Sequence, residues 1–164
     1  MNDCMNVRGD GFSRSLPLTV RTVSPAETEK LGARLAEAFE SDRTLPPYIA
    51  LYGDLGVGKT AFVRGFASVY APGRTVRSPT FALVNEYRVP GKRPLFHFDM
   101  YRITSEDDLY SIGYDDYLDQ GICLVEWCEH IPFALPPRRL AVTIQKTDSA
   151  SPEERLIRLE IQED

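Results

Sequence analysis

The sequence predicts a three-layer α/β domain whose central sheet is mixed, partly parallel and partly antiparallel. Short apolar runs of strand length at 48–52 and 121–126 are separated by segments with apolar residues at helical spacing. A glycine-rich segment at 53–60 joins one such run to the following helical segment. Two strictly alternating runs at 140–144 and 157–161 indicate a terminal antiparallel hairpin. Strands that alternate with helices favour a parallel sheet, and hairpins add antiparallel strands to it.

The beginning of the chain predicts a strand followed by a well-capped helix. Apolar and polar residues alternate from Leu18 to Val23, as in a half-buried strand. Ser24 can cap the next helix, Pro25 suits its first position, and Glu27 completes an S-x-x-E capping box. One face of this helix carries the apolar residues Leu31, Leu35, Ala38 and Phe39.

The elements that follow are predicted by the same signals. Residues 71–73, Ala-Pro-Gly, end the helix that follows the glycine-rich segment. Runs at 81–89 and 95–102, separated by a turn rich in proline and glycine, predict a hairpin. Ser105 precedes three acidic residues and begins a further helix, since acids near a helix N-terminus favour its dipole.

Length and composition favour one globular domain. The chain has 164 residues, a common size for a single domain, so we expect residues 16–164 to form one domain. Residues 1–15 are polar and are expected to be a disordered N-terminal tail. The net charge of −5 argues against this chain as the main binding partner of a nucleic-acid backbone, because neutralising phosphates needs clustered Lys and Arg.

Location is predicted from cysteine usage and from the lack of targeting patterns. The three cysteines form no C-x-x-C pair, and the N-terminal segment has no apolar region typical of an export signal. No run of about 18 apolar residues suggests a membrane span. A cytoplasmic protein without membrane contact is therefore expected.

The strongest functional signal is a phosphate-binding loop. The segment Gly53-Asp54-Leu55-Gly56-Val57-Gly58-Lys59-Thr60 matches G-x-x-x-x-G-K-[ST] and lies between a predicted strand and a predicted helix, as its mechanism requires. Its glycines let backbone N–H groups point at anionic oxygens, and the helix N-terminus adds its positive dipole end. Lys59 would reach the β- and γ-phosphates and Thr60 would ligate Mg²⁺. The sequence thus predicts a P-loop NTPase, and the lack of an N-K-x-D guanine-reading element favours ATP.

Two strand-end carboxylates are candidates for the Mg²⁺ shell or for orienting water. Asp99 ends one apolar run, and Glu126 ends a more uniformly apolar run that resembles a central strand. Glu126 is therefore slightly favoured over Asp99 as a site residue. A solvated strand-end acid is the alternative for each. Ser78 and Thr80, in the connection that leaves the loop's helix, are candidates for a nucleotide switch or for a simple strand-entry turn.

Five other residues have roles that the sequence does not decide or that it makes improbable. Trp127 is either a core aromatic or a lid over the nucleotide, and His97 is either a buried histidine or a site residue. Cys123, Cys128 and His130 lie near one another in the sequence, but their spacing matches no common zinc pattern. We do not expect a zinc site there.

Further motifs make the chain resemble the TsaE (YjeE) family over about residues 24–140. Beside the phosphate loop, they are Arg64-Gly65, Ser78-Pro79-Thr80-Phe81, Leu83-Val84, Glu86-Tyr87, His97-Phe98-Asp99-Met100-Tyr101-Arg102, Asp108-Leu109, Gly113, Tyr117-Leu118 and Leu124-Val125-Glu126-Trp127. The resemblance implies a Mg²⁺-dependent ATPase that assists the TsaB and TsaD proteins in threonylcarbamoyladenosine modification of tRNA beside the anticodon. TsaD would transfer the group, tRNA would be met only through that complex, and hydrolysis without the partners would be slow.

By matching position, the resemblance assigns roles to individual residues. Asp99 would act in hydrolysis, Thr60 and Glu126 would form the Mg²⁺ site, and Ser78 to Thr80 would form the switch. The nucleotide would contact Gly53, Gly56, Val57, Gly58, Lys59, Thr60 and Ala61. Members often carry a second hydroxyl residue where this chain has Ala61, so an α-phosphate contact from that side chain is lost while its backbone N–H remains.

Two other functions fit a phosphate loop in a chain of this size. A small-molecule kinase is one. Such kinases usually bring several arginines from a mobile lid, and no Arg-rich insertion is evident, although Arg74, Arg77 and Arg102 could contribute. A nucleotide-gated binding module with little hydrolysis is the other.

Overall fold

The computed structural model describes residues 9–164. Its helices are α1 (Gly9–Phe12), α2 (Pro25–Ser41), α3 (Lys59–Tyr70), α4 (Glu106–Ser111) and α5 (Tyr114–Leu118). Its strands are β1 (Leu18–Thr22), β2 (Tyr48–Tyr52), β3 (Val84–Tyr87), β4 (Leu95–Asp99), β5 (Ile122–Glu126), β6 (Arg138–Lys146) and β7 (Arg155–Glu163). Within this described part of the chain, no helix combines the length and the apolar character needed to cross a membrane.

The seven strands form one mixed sheet in the order β1-β7-β6-β2-β5-β4-β3. The central strands β6, β2, β5 and β4 are parallel to one another. The outer pairs β1–β7, β6–β7 and β3–β4 are antiparallel. The predicted mixed α/β fold is therefore confirmed, and β5, with Glu126 at its end, lies inside the parallel part.

Side chains alternate between two cores because successive strand residues point to opposite faces. Along β2, Ile49 and Leu51 belong to the core beneath α2 and α3, whereas Tyr48 and Ala50 belong to the core beneath α4 and α5. All four are nearly inaccessible to solvent. The sheet is thus the middle of three layers.

Helices α2 and α3 cross very closely at glycine positions. A Cβ atom on Gly65 would lie 1.8 Å from the Glu29 carbonyl oxygen, and one on Gly32 would lie 2.1 Å from the Phe62 carbonyl oxygen. Real Cβ atoms do not approach backbone this closely, so only glycine permits the crossing. The contact fixes α3, whose first residues belong to the glycine-rich loop.

The predicted helix starts are confirmed. The Ser24 hydroxyl accepts a hydrogen bond from the Glu27 N–H at 3.2 Å, and the Glu27 carboxylate accepts one from the Val23 N–H at 2.8 Å. The Ser105 hydroxyl likewise accepts from the Asp108 N–H at 3.3 Å. These caps satisfy backbone donors that the first helical turn leaves free.

Two predicted segments differ from the structure. The strand expected from Phe81 begins only at Val84, because the Leu83 N–H donates to the Pro79 carbonyl and Leu83 adopts a φ of 66° in a turn. The tail expected over 1–15 lies partly outside the described residues. Within the tail, Gly9–Phe12 and Ser13–Ser15 are helical instead, and Phe12 is buried in the core beneath α2. A single aromatic among polar neighbours gives too little periodicity to predict such an anchor.

Candidate nucleotide site

A cleft of about 540 Å³ lies at the carboxyl ends of the parallel strands. It is lined by residues 55–61 of the glycine-rich loop and the first turn of α3. The strand-end acids Asp99 and Glu126, and Ser78 and Thr80 from the connection to β3, also line it. The carboxyl edge of parallel strands is where open α/β sheets place their ligands. The residues that the sequence predicts for one site therefore meet at this cleft, except Gly53, which is not among the residues that line it.

The loop between β2 and α3 needs glycine at its two ends. Gly53 has a φ of 145°, and a Cβ atom there would lie 2.5 Å from the Ile144 carbonyl oxygen. Gly58 has a φ of 111° and precedes the first residue of α3. L-residues rarely adopt these values, so the glycines allow the backbone to turn sharply into the helix N-terminus. That terminus faces the cleft with free N–H groups.

Lys59 lies folded back over the loop. Its side chain is buried, and its ammonium group donates to the carbonyl oxygens of Gly53 and, at 3.4 Å, of Asp54. The same Nζ lies 3.5 Å from the centroid of the Trp127 ring, a cation–π contact. Burial lowers the pKa of Lys59, and nearby carboxylates, first among them that of Glu129, oppose this shift. The ammonium therefore lies in a partly desolvated, electronegative surrounding.

A hydrogen-bonded group links the first turn of α3 to the ends of two strands. The Thr60 hydroxyl donates to Glu126 Oε1 at 2.8 Å, and His97 Nε2 lies 3.3 Å from the same oxygen. Glu126 is 3% exposed and His97 is 0% exposed. A carboxylate so deeply placed is held by specific donors, as buried charges generally are.

Asp99 lies beside Glu126 in the sheet and is held separately. Its Oδ2 accepts a hydrogen bond from the Ser78 hydroxyl at 3.1 Å, and its Oδ1 accepts one from the Tyr101 N–H at 2.9 Å. The hydroxyls of Ser78 and Thr80 are 3.2 Å apart. The connection that holds these two hydroxyls is thus joined to Asp99, in the cleft.

Three residues beside the loop were not predicted as site residues. Arg155, at the start of β7, donates from Nε to the Val57 carbonyl at 2.9 Å. The Glu129 carboxylate accepts from the Gly53 N–H at 3.2 Å. Trp127, which the sequence left open, has a φ of 62° and places its ring against Lys59. No motif marks Arg155 or Glu129, because both reach the loop from distant parts of the chain.

The cysteines and His130 serve other contacts. Cys128 donates to the Val125 carbonyl at 3.1 Å, and His130 Nδ1 lies 2.9 Å from the Tyr101 carbonyl oxygen. Within residues 9–164, no three His, Cys, Asp or Glu side chains are arranged to hold a metal ion by themselves. A cation in the cleft would thus need further ligands, such as phosphate and water oxygens.

The parallel central strands of the sheet and the glycine-rich loop that leads from β2 into α3 define a P-loop NTPase. A model of one family of this class, described as "Threonylcarbamoyl adenosine biosynthesis protein TsaE", matches residues 22–157. The chain belongs to the TsaE family, and the resemblance seen in the sequence is confirmed.

Individual relatives agree with the family match. The chain is 43% identical to the tRNA threonylcarbamoyladenosine biosynthesis protein TsaE of Bacillus subtilis over 127 residues, which are 77% of this chain and 76% of that protein. It is 40% identical to the TsaE protein of Haemophilus influenzae over 125 residues, 74% of this chain and 77% of that protein. The crystal structure of Bacillus subtilis YdiB superposes with a TM-score of 0.66 at 36% identity, covering 90% of this chain and 86% of that one.

Proposed function

We propose that this chain is a Mg²⁺-dependent ATPase that assists the TsaB and TsaD proteins in threonylcarbamoyladenosine modification of tRNA in the cytoplasm. Membership of the TsaE family supports the role in this biosynthesis. The ATPase role rests chiefly on one observation, the Thr60–Glu126 hydrogen bond at the base of the phosphate loop. This bond joins the loop to a buried strand-end carboxylate, the arrangement in which P-loop enzymes hold the nucleotide's cation.

The phosphates of ATP would lie against the loop and the N-terminus of α3. Free N–H groups of the first helical turn and the helix dipole favour anionic groups. We assign the contacts to Gly53, Gly56, Val57, Gly58, Lys59, Thr60 and Ala61. Lys59 would exchange the Gly53 and Asp54 carbonyls for phosphate oxygens, a stronger charge-assisted contact.

The residues at the base of the loop fit Mg²⁺. The Thr60 hydroxyl and the Glu126 carboxylate supply hard oxygen atoms, which this cation prefers, and Mg²⁺ usually completes its shell with phosphate and water oxygens. A hydroxyl that donates its proton to Glu126 keeps its lone pairs free for a cation. When bound, Mg²⁺ would neutralise negative charge on the β- and γ-phosphates.

Asp99 is the group that we assign to hydrolysis. The Ser78 hydroxyl and the Tyr101 N–H hold its two oxygens, so the carboxylate has a fixed orientation in the cleft. A carboxylate so placed can orient a water molecule toward the γ-phosphate. Because Ser78 and Thr80 lie in an exposed connection bonded to Asp99, this connection would respond to the γ-phosphate and act as the switch toward the partners.

The arginines of the cleft favour hydrolysis over transfer to a metabolite. Arg64 is paired with Glu29 at 2.9 Å, and Arg155 is bonded to the loop carbonyl of Val57. Small-molecule kinases usually bring several arginines from a mobile lid to the transferred phosphate. Both arginines described at the cleft are instead engaged by the protein.

The test is release of inorganic phosphate from ATP by the chain alone and with TsaB and TsaD. We expect slow release alone and clear stimulation by the two partners, with no phosphate transfer to a metabolite acceptor. Lys59→Ala should abolish tight ATP binding, whereas Glu126→Ala should keep most binding and lose Mg²⁺-dependent release. Lys92→Ala is the matched control, since Lys92 pairs with Glu40 on the surface away from the loop.

Each alternative predicts a different result. ATP binding without any phosphate release, even with both partners, would support a nucleotide-gated module. Stoichiometric transfer to an acceptor molecule would support a kinase.

A further inference from the structure

His97 is a buried polar side chain without an assigned role in the proposed reaction. It lies on β4, two positions before Asp99 and on the same face, directly opposite Leu124 of β5. It is 0% exposed, and its Nε2 lies 3.3 Å from Glu126 Oε1. Its Nδ1 is buried and has no hydrogen-bond partner among residues 9–164. Among the described residues, the Glu126 carboxylate is therefore the hydrogen-bond partner of the ring.

The geometry decides which ring nitrogen carries a proton toward Glu126. An unprotonated Nε2 would set its lone pair against the lone pairs of the carboxylate oxygen, a repulsive contact in a buried place. With a proton on Nε2, the ring donates a hydrogen bond to Oε1. The contact thus requires the Nε2–H form of His97.

Glu126 Oε1 consequently accepts from two side chains that approach from different elements. Thr60 donates from the first turn of α3, and His97 donates from the neighbouring strand. Two donors to one oxygen fix the rotation of the carboxylate, and Glu126 lines the cleft. Partners of this kind orient the groups that hold a cation, and their loss typically costs about 10–100-fold in metal affinity or activity.

We propose that His97 is a positioning residue, whose Nε2–H fixes Glu126 and, through it, the Thr60 hydroxyl for the cation that accompanies ATP. This role rests on the proposed function of the cleft. His97 is not among the residues that line the cleft, so its loss should leave the binding of phosphate by the loop intact. His97 instead determines how much Mg²⁺ increases the affinity for ATP.

The experiment compares ATP affinity with and without Mg²⁺, using a fluorescent nucleotide. His97→Phe keeps an aromatic ring but removes the donor, whereas His97→Gln keeps an N–H at the end of the side chain. Phe96→Leu is the control for core damage, because Phe96 is buried on the opposite face of the same strand. Thermal unfolding of each variant shows that the protein is folded.

The Mg²⁺ gain is the ratio of ATP affinity with Mg²⁺ to ATP affinity without it. For His97→Phe we expect the ATP affinity without Mg²⁺ to stay within about threefold of the parent. We expect the Mg²⁺ gain to fall by roughly tenfold or more. His97→Gln should recover most of that gain, and Phe96→Leu should keep all of it. A folded His97→Phe variant with the parent's full gain overturns the proposal, as does His97→Gln behaving like His97→Phe. If His97→Phe does not fold, the Mg²⁺ gains of His97→Gln and of the shorter His97→Asn are compared instead. Equal Mg²⁺ gains in these two variants would overturn the proposal.

A second measurement needs no nucleotide. Long-range ¹H–¹⁵N spectra of the chain, which has two histidines, should show His97 protonated at Nε2 in the parent. Glu126→Gln should shift the His97 signals and leave those of His130 in place. An Nδ1-protonated His97 would overturn the positioning role. A parent with no Mg²⁺ gain but with the expected spectra would instead overturn the proposed function.

Discussion

The Thr60 hydroxyl donates a 2.8 Å hydrogen bond to Glu126 Oε1 and so joins the first turn of α3 to the end of β5. The two residues are 66 positions apart in the sequence. Helix α3 is held in turn by its close crossing with α2 at Gly65. The packing of α3 against α2 therefore helps to hold the hydroxyl beside the carboxylate.

Replacing this hydroxyl should separate the binding of phosphate from the effect of Mg²⁺. Thr60→Val keeps the shape of the side chain but removes the donor, and hydrogen bonds to charged groups contribute about 1.5–3 kcal/mol. We expect the Mg²⁺ gain in ATP affinity to fall roughly 10–100-fold. Titration with a fluorescent nucleotide measures it. Thr60→Ser, which retains the hydroxyl, should stay close to the parent, and equal losses in both variants would contradict the assignment.

The contact between Lys59 and Trp127 provides an optical readout. Trp127 is the single tryptophan of the chain, and its ring centroid lies 3.5 Å from Lys59 Nζ. If Lys59 moves to the phosphates, the ring loses its cation, and the intrinsic fluorescence should change on addition of ATP. The change should saturate at the affinity measured by an independent method. Lys59→Met, which has no charge to move, should show no such change at the same ATP concentrations.

The lowered pKa of Lys59 predicts how ATP affinity depends on pH. Bound phosphates favour the charged ammonium, so affinity is highest at pH values below the pKa of the free protein's Lys59 and falls as pH rises through it. Burial lowers that pKa, so the fall should begin below the range where ordinary lysines titrate, about 10.4. Affinities measured from neutral pH upward test this. Lys59→Arg stays charged throughout and should not show the same fall.

Local sequence patterns predicted most of the fold because each depends on neighbours in the chain. The capping box at Ser24, the apolar run before Gly53 and the acidic end of β5 all have the structure that their spacing predicts. The start of β3 was wrong because a turn at Leu83 interrupts an otherwise strand-like run. Strand propensity does not report a turn of this kind, since it depends on a backbone hydrogen bond to Pro79.

The site was predicted only where one motif or one strand end carries it. Lys59 and Thr60 belong to a contiguous pattern, and Asp99 and Glu126 could be proposed because the carboxyl ends of parallel strands meet. His97 remained ambiguous, because only the three-dimensional structure shows which side chain its ring faces. Their roles in binding and hydrolysis remain predictions for the experiments above.

The buried thiols should be inert in the native protein. Burial raises the pKa of Cys123 to about 12 and raises that of Cys128 as well, so neither forms the reactive thiolate near neutral pH. In a Cys4→Ser background, a disulfide reagent such as DTNB should label neither thiol in the folded protein and both after denaturation. Labelling of one thiol per chain within the mixing time, without denaturant, would contradict this burial.

The crossing of α2 and α3 at Gly65 should be the most sensitive point of the fold outside the strands. A methyl group there meets the Glu29 carbonyl oxygen at 1.8 Å, and this obstacle is backbone, so it cannot rotate away. Gly65→Ala should therefore destabilise the protein by about 1–3 kcal/mol or more, the usual cost of overpacking. Urea unfolding gives the difference from the shift in midpoint at constant slope.

Glu37→Ala is the control for this substitution, because Glu37 is exposed on α2, the other helix of the crossing. A surface change of this kind should stay within about 0.5 kcal/mol of the parent. The folded fraction of Gly65→Ala should also bind ATP more weakly, since α3 carries Lys59 and Thr60 and cannot keep its place beside Glu126 if it is pushed from α2. Parental stability and parental ATP affinity together would show that the helices can separate without moving the site.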